Sequence, residues 1–168
     1  MSPSSWQASL QLLIKQRTAE SRIAIVGIGN AFRSDDAAGI RAAHALMDSR
    51  VIRDIETVLV MDGGHAPENA TGQLRRFEPN IVLLIDAADM GEHPGTVRLI
   101  DLDEIEGMSA STHSLPLSML ANYLVLELGC TVNLLGIQPK SNEVGEFISP
   151  EIAGAVREVV DTILESFS

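Results

Sequence analysis

Residues 22–47 read RIAIVGIGNAFRSDDAAGIRAAHALM, and this stretch decides the fold. Arg22 to Ile28 is dense in β-branched residues and runs into Gly27 and Gly29, the pattern of a buried parallel strand that ends in a turn. From Asp36 to Met47 the residues Ile40, Ala43 and Met47 recur on one stripe, so an amphipathic helix follows. Strand, glycine turn and helix in that order open a wound α/β arrangement.

The pattern repeats downstream. Thr57 to Met61 reads as a second strand, followed by a DGG turn and a helix between Asn69 and Phe77 that stops ahead of Pro79. Ile81 to Ile85 (IVLLI) is uniformly apolar, as a strand covered by helices on both faces must be, and it delivers Asp86 to its C-terminal end. Gly95 to Leu102 alternates and forms an edge strand. Leu115 to Leu128 reads as a helix, Thr131 to Ile137 as a last central strand, and Pro150 to Phe167 as a closing helix with Pro150 in its first turn. Ahead of all this, Trp6, Leu10, Leu13 and Ile14 mark one face of a short helix over Ser5 to Arg17. The expectation is a three-layer α/β/α sandwich with a twisted, mostly parallel sheet and one antiparallel edge strand. Residues 1–20 form a helical extension and 21–168 a single domain, since 168 residues with 45% hydrophobic content suffice for one core.

Composition narrows the function. A formal charge of −11, from 23 acidic against 12 basic residues, opposes binding a polyanion, so nucleic acid is not an expected partner. A basic peptide or a metal cation is compatible with that field. No apolar run approaches the roughly 20 residues that cross a bilayer, and the first residues lack the signature of a secretory signal. A cytoplasmic monomer without membrane attachment is expected. Cys130 is the only cysteine, so no internal disulfide and no multi-cysteine zinc site can form. It opens the apolar run CTVNLLGI with no histidine or basic residue beside it, and reads as a buried structural thiol.

In an open parallel sheet, ligands gather outside the C-terminal strand ends where the strand order reverses. Three segments place polar residues there: GIGNAFRSDD, IDAADMG and STHSLPL. Gly27, Gly29 and Asn30 resemble the start of a dinucleotide fingerprint, but Phe32 stands where the third glycine belongs, and Asp35 and Asp36 would repel a phosphate. One of these aspartates can cap the following helix; the other is then available to bind a metal or act on water. Asp86, directly after five apolar residues, is costly to bury without a partner, and a backbone donor or a cation must supply one. Asp89 reads as a supporting residue of that loop. His113 lies ahead of a helix with Pro116 in its first turn, so its ring can face the same crevice. His44, His65 and His93 read as structural or exposed.

Taken together, GIGNAFRSDDAAG (Gly27 to Gly39), MDGGHAPEN (Met61 to Asn69), IDAADMGEHPGTVRLID (Ile85 to Asp101), THSLPL (Thr112 to Leu117) and LLGIQP (Leu134 to Pro139) resemble the hydrogenase maturation endopeptidases. The similarity is greatest to the members that process the formate hydrogenlyase type of hydrogenase. This resemblance implies a five-stranded α/β fold and an aspartic-type endopeptidase that removes the C-terminal peptide of a nickel–iron hydrogenase large-subunit precursor. It maps the family's metal-binding triad onto Asp36, Asp86 and His113, with Asp36 and Asp86 as catalytic residues. Nickel is implied as part of the substrate, already inserted into the precursor, and the same ligands would accept other divalent ions such as cadmium or zinc. A module that checks nickel or chaperones the precursor without cutting it would use the same triad. Two departures stand out: Ala37 replaces the glycine that many relatives carry after the acidic pair, and the segment before Arg22 is longer than in typical members.

Overall fold

The computed structural model describes residues 5–106, 116–145 and 147–168. Five strands, β1 (Ile23–Ile28), β2 (Val58–Gly64), β3 (Ile81–Ala87), β4 (Val97–Asp101) and β5 (Thr131–Ile137), form one sheet in the order β2-β1-β3-β5-β4. All neighbours pair in parallel except β4, which runs antiparallel to β5 at the edge. The helices are α1 (Ser5–Lys15), α2 (Ala38–Asp48), α3 (Arg50–Arg53), α4 (Thr71–Phe77), α5 (Leu102–Glu106), α6 (Leu117–Leu128) and α7 (Pro150–Ser166).

Strand alternation divides the core. Ile23 and Ile25 of β1 and Leu83 and Ile85 of β3 join residues of α1, α2 and α7 on one face. Ala24, Val26, Ile28, Val82 and Leu84 meet Leu74 of α4 and Leu117, Leu120 and Leu124 of α6 on the other. This is why the β1 and β3 sequences are apolar throughout: helices cover both faces. The leading extension belongs to the same core, because Leu10 and Ile14 are 0% and 1% exposed and α1 lies along α7. Burying two such side chains stabilises the domain by about 3–6 kcal/mol before the entropy of ordering the helix is subtracted.

Several boundaries differ from the sequence expectation. β2 continues through the DGG segment to Gly64 instead of turning there, since Asp62 and Gly64 pair with β1. β3 continues to Ala87, so Asp86 lies inside the strand, paired with Gly136 of β5, and not just beyond it. A 3₁₀ turn over Ser34–Ala37 precedes α2, and a second over Pro67–Ala70 precedes α4. Of the expected α2 stripe, Ile40 and Ala43 are buried together with Ala38, Ala42 and Leu46, while Met47 is 43% exposed.

Close approach of α2 to the sheet depends on glycines. A Cβ on Gly27 would lie 2.2 Å from Gly39 O, and one on Gly39 would lie 2.0 Å from Ile85 O and 2.4 Å from Ile28 O. The first turn of α2 therefore rests directly on the C-terminal ends of β1 and β3, with backbone against backbone. Gly39→Ala is expected to lower stability by about 2–3 kcal/mol, because neither carbonyl can move without disturbing the sheet. Guanidinium unfolding measures this, and an unchanged midpoint would show that α2 can ride up at no cost.

Candidate functional site

The strand order reverses between β1 and β3, since the chain leaves β1 for β2 on one side and returns to β3 on the other. A crevice outside the C-terminal ends of these two strands follows from that topology. Asp36 reaches it from the segment after β1, and Asp86 from the end of β3.

Local backbone geometry places Asp36. Gly29 adopts φ 145°, and a Cβ there would lie 1.9 Å from Asp36 O, so the chain folds back on itself only because residue 29 is glycine. Asn30 N–H then donates to Asp36 Oδ2 at 2.9 Å, and Phe32 N–H donates to Asn30 Oδ1 at 2.9 Å. Asp36 is 8% exposed, and its Oδ1 has no hydrogen-bond partner among the described residues. One oxygen is thus fixed, and the other is left for a ligand.

Asp35 does different work. It is fully buried, and its carboxylate accepts from Lys140 N–H (2.9 Å), Ser141 N–H (2.8 Å), Ser149 N–H (2.6 Å) and the Ser149 hydroxyl (2.8 Å). Burial pushes its carboxyl up, but the donors of Ser149, Ser141 and Lys140 together outweigh it and hold the group below the ordinary carboxylate value. The expectation that one of the pair caps a helix is not met, because neither the 3₁₀ turn nor α2 has a side-chain cap. Asp35 instead latches the 140–149 segment against the Asp36 loop. Gly145 N–H to Phe32 O (2.7 Å) and Ser34 N–H to Gly145 O (2.9 Å) complete the seam. Ser34 holds φ 46° there, a conformation strained for a non-glycine residue, and its hydroxyl donates to Glu143 O at 2.8 Å.

Asp86 is 2% exposed. By alternation with Val82 and Leu84 it faces the α4 and α6 side of the sheet. Gly136 lies opposite it, and a Cβ on Gly136 would meet Met90 Sδ at 2.9 Å, so Met90 fills the space over that position. His113, the third predicted ligand, falls in 107–115 and lies outside the described residues. Among the described residues no group of three or more His, Cys, Asp or Glu is placed to hold a metal ion. Carboxylates such as those of Asp36 and Asp86 are donors of the type that a hard or borderline divalent cation takes.

The LLGIQP stretch places a polar residue, Gln138, at the end of β5, and the structure gives it a role. It is 7% exposed, and its Oε1 accepts from Met90 N–H (2.7 Å) and Glu92 N–H (3.2 Å), while its Nε2 donates to Asp89 Oδ1 (3.2 Å). Gln138 and Asp89 therefore shape the loop that follows Asp86. A buried amide at a strand end was the available signal, since its polar groups must find partners. His44 is not merely exposed, for its Nε2 lies 2.7 Å from Asp62 Oδ2. Cys130 is 3% exposed, burial pushes its thiol up, and its Sγ faces Leu124 O at 3.5 Å, which agrees with a structural role.

Comparison with known proteins adds an independent line. The family model for hydrogenase maturation proteases matches residues 40–166. A putative hydrogenase maturation protease of Methanocaldococcus jannaschii is 33% identical over 159 residues, covering 92% of this chain and 94% of that protein. The hydrogenase 3 maturation protease of Escherichia coli is 34% identical over 139 residues, covering 82% of this chain and 83% of that one. The crystal structure of a nickel–iron hydrogenase maturation protease from Thermococcus kodakarensis superposes with a TM-score of 0.81 at 31% identity, covering 93% of this chain and 98% of the other.

Proposed function

The chain belongs to the hydrogenase maturation protease family, and from that premise we propose that it is an endopeptidase, a cytoplasmic monomer, that removes the C-terminal peptide of a nickel–iron hydrogenase large-subunit precursor. The observation that supports a hydrolytic role is the Asp36 carboxylate: Oδ2 is anchored by Asn30 N–H, Oδ1 has no partner among the described residues, and Asp86 stands across the same switch point. Rigid placement of one oxygen with the other available is what a general base requires. In this reading water adds to the scissile carbonyl while Asp36 takes its proton. The proton then passes to the departing amine nitrogen as the C–N bond breaks.

Nickel enters as part of the substrate. Asp36 and Asp86, with His113, are the residues that would engage it in the precursor, so that cleavage follows metal insertion. Among the described residues no helix is long and apolar enough to cross a membrane.

The test is mass spectrometry of the cognate precursor after incubation with the protein, with nickel loaded and without. A single shortened product that forms only from nickel-loaded precursor is expected. A precursor that binds but stays intact in both samples would replace the protease reading with a chaperone that recognises the same metal.

A further inference from the structure

Large apolar side chains scattered singly over a surface carry no message, but a cluster of them does. Of the four most exposed large apolar residues among the described ones, three lie on two segments that meet: Phe147 (90%), Val144 (79%) and Phe32 (67%). The segments are more than a hundred residues apart in the chain, and a hydrogen-bonded seam joins them. Gly145 N–H donates to Phe32 O at 2.7 Å and Ser34 N–H to Gly145 O at 2.9 Å, so Arg33 and Gly145 pair as in a parallel sheet. Bond lengths alone then keep the three Cα atoms within about 14 Å of one another.

Packing of the core does not account for this exposure. Ile148 packs against the core, whereas its neighbour Phe147 is turned out. Ser34 holds a φ of 46°, and the buried Asp35 carboxylate accepts from Lys140, Ser141 and Ser149, to keep the 140–149 segment on the Phe32 loop. A strained residue and a buried charge that together hold exposed aromatics in place mark a surface built for contact.

The same frame carries Asp36. Asn30 N–H donates to Asp36 Oδ2, and Asn30 Oδ1 accepts from Phe32 N–H, so one residue fixes both the carboxylate and the start of the apolar cluster. A partner seated on Phe32, Val144 and Phe147 is thereby set in a fixed position relative to Asp36. The charge of the chain narrows that partner. With −11 on each molecule a second copy is repelled, and so is an anionic membrane surface. Another protein with an apolar surface remains, and the chemistry at Asp36 requires the hydrogenase precursor to come within reach of this loop.

We propose that Phe32, Val144 and Phe147 form a docking surface for an apolar patch of the large-subunit precursor beside its cleavage point. This rests on the endopeptidase reading for the identity of the partner. Such contacts are made equally before and during bond cleavage, so their loss raises KM and leaves kcat in place.

The test is steady-state cleavage of nickel-loaded cognate precursor by the full chain. The double variant Phe32→Ser/Phe147→Ser is expected to raise KM at least about tenfold, as loss of aromatic anchors does, with kcat within twofold. Leu126→Ser serves as the control, because Leu126 is 83% exposed on α6 close to the start of β5, at the opposite end of the sheet from Asp36. It is expected to change neither constant. An unchanged KM in the double variant, or an equal rise in the control, would overturn the docking surface while leaving the protease standing. Guanidinium unfolding is expected to give the double variant the midpoint of wild type, since both side chains are exposed and the Phe32 bonds are made by its backbone; a lower midpoint would assign the two rings to the fold instead. Sedimentation of each protein alone and with precursor completes the test. A wild-type dimer that the double variant splits would assign the patch to a second copy and overturn the proposal. If wild type cuts nothing, the protease reading falls, and a precursor complex formed by wild type but not by the double variant would still uphold the docking surface; no complex, or one that the double variant forms equally, would overturn it.

Discussion

Replacing Asp36 by asparagine is expected to lower precursor cleavage by about a thousandfold, the middle of the range for loss of a positioned acid or base. The substitution is close to isosteric, and the asparagine oxygen can still accept from Asn30 N–H in place of Asp36 Oδ2. Stability should therefore change by less than about 1 kcal/mol, as for changes that leave packing and buried partners in place. What disappears is the negative charge at Oδ1, which both proton abstraction and engagement of a divalent cation need. The check pairs single-turnover cleavage with guanidinium unfolding on the same preparation. Residual activity within tenfold of wild type, in a protein that folds normally, would remove Asp36 from the reaction.

Asp35→Ala should act by the opposite route. Its four donors, Lys140 N–H, Ser141 N–H, Ser149 N–H and the Ser149 hydroxyl, would lose their acceptor in the interior. Orphaning several buried donors to a charged group costs about 3–5 kcal/mol, a large share of a typical domain's stability. Asp35→Asn should rescue little, because an amide presents an NH₂ to one side of a site where every neighbour is a donor. Acid sensitivity follows from the same bonds. The folded carboxyl lies below its ordinary value, so its contribution is present above the unfolded pKa of about 4 and is lost as pH falls through the folded pKa. Wild type should lose stability steeply on acidification below about pH 4, and the Asp35 variants should show a shallower profile. Urea unfolding across pH 3 to 7 reads this; parallel profiles for wild type and Asp35→Asn would contradict the latch.

The neighbouring aspartates illustrate what a sequence can convey. Both were visible as carboxylates after a strand, and the family resemblance singled out Asp36. Which of them is available to a ligand depends on the 140–149 segment, more than a hundred residues downstream, whose backbone N–H groups occupy Asp35 and leave Asp36 with one oxygen unbonded among the described residues. No local pattern encodes that pairing. Gln138 is similar, since LLGIQP shows a polar residue at a strand end but not that its amide organises the loop after Asp86.

The sequence by itself determined the class of fold, the position of the five strands, the edge placement of β4 and the placement of Asp36 and Asp86 at the C-terminal ends of β1 and β3. Those features follow from local periodicity and from glycines whose backbone conformation no other residue adopts, and both are written in short stretches of chain. Only the tertiary structure decided that β3 carries Asp86 inside its last pair of hydrogen-bonded residues, that α1 shares the domain core, and that Asp35 braces the loop while Asp36 remains open to a ligand. These depend on which distant backbone groups need partners when the chain is compact, and hydrogen-bond satisfaction in the interior is a property of the whole fold.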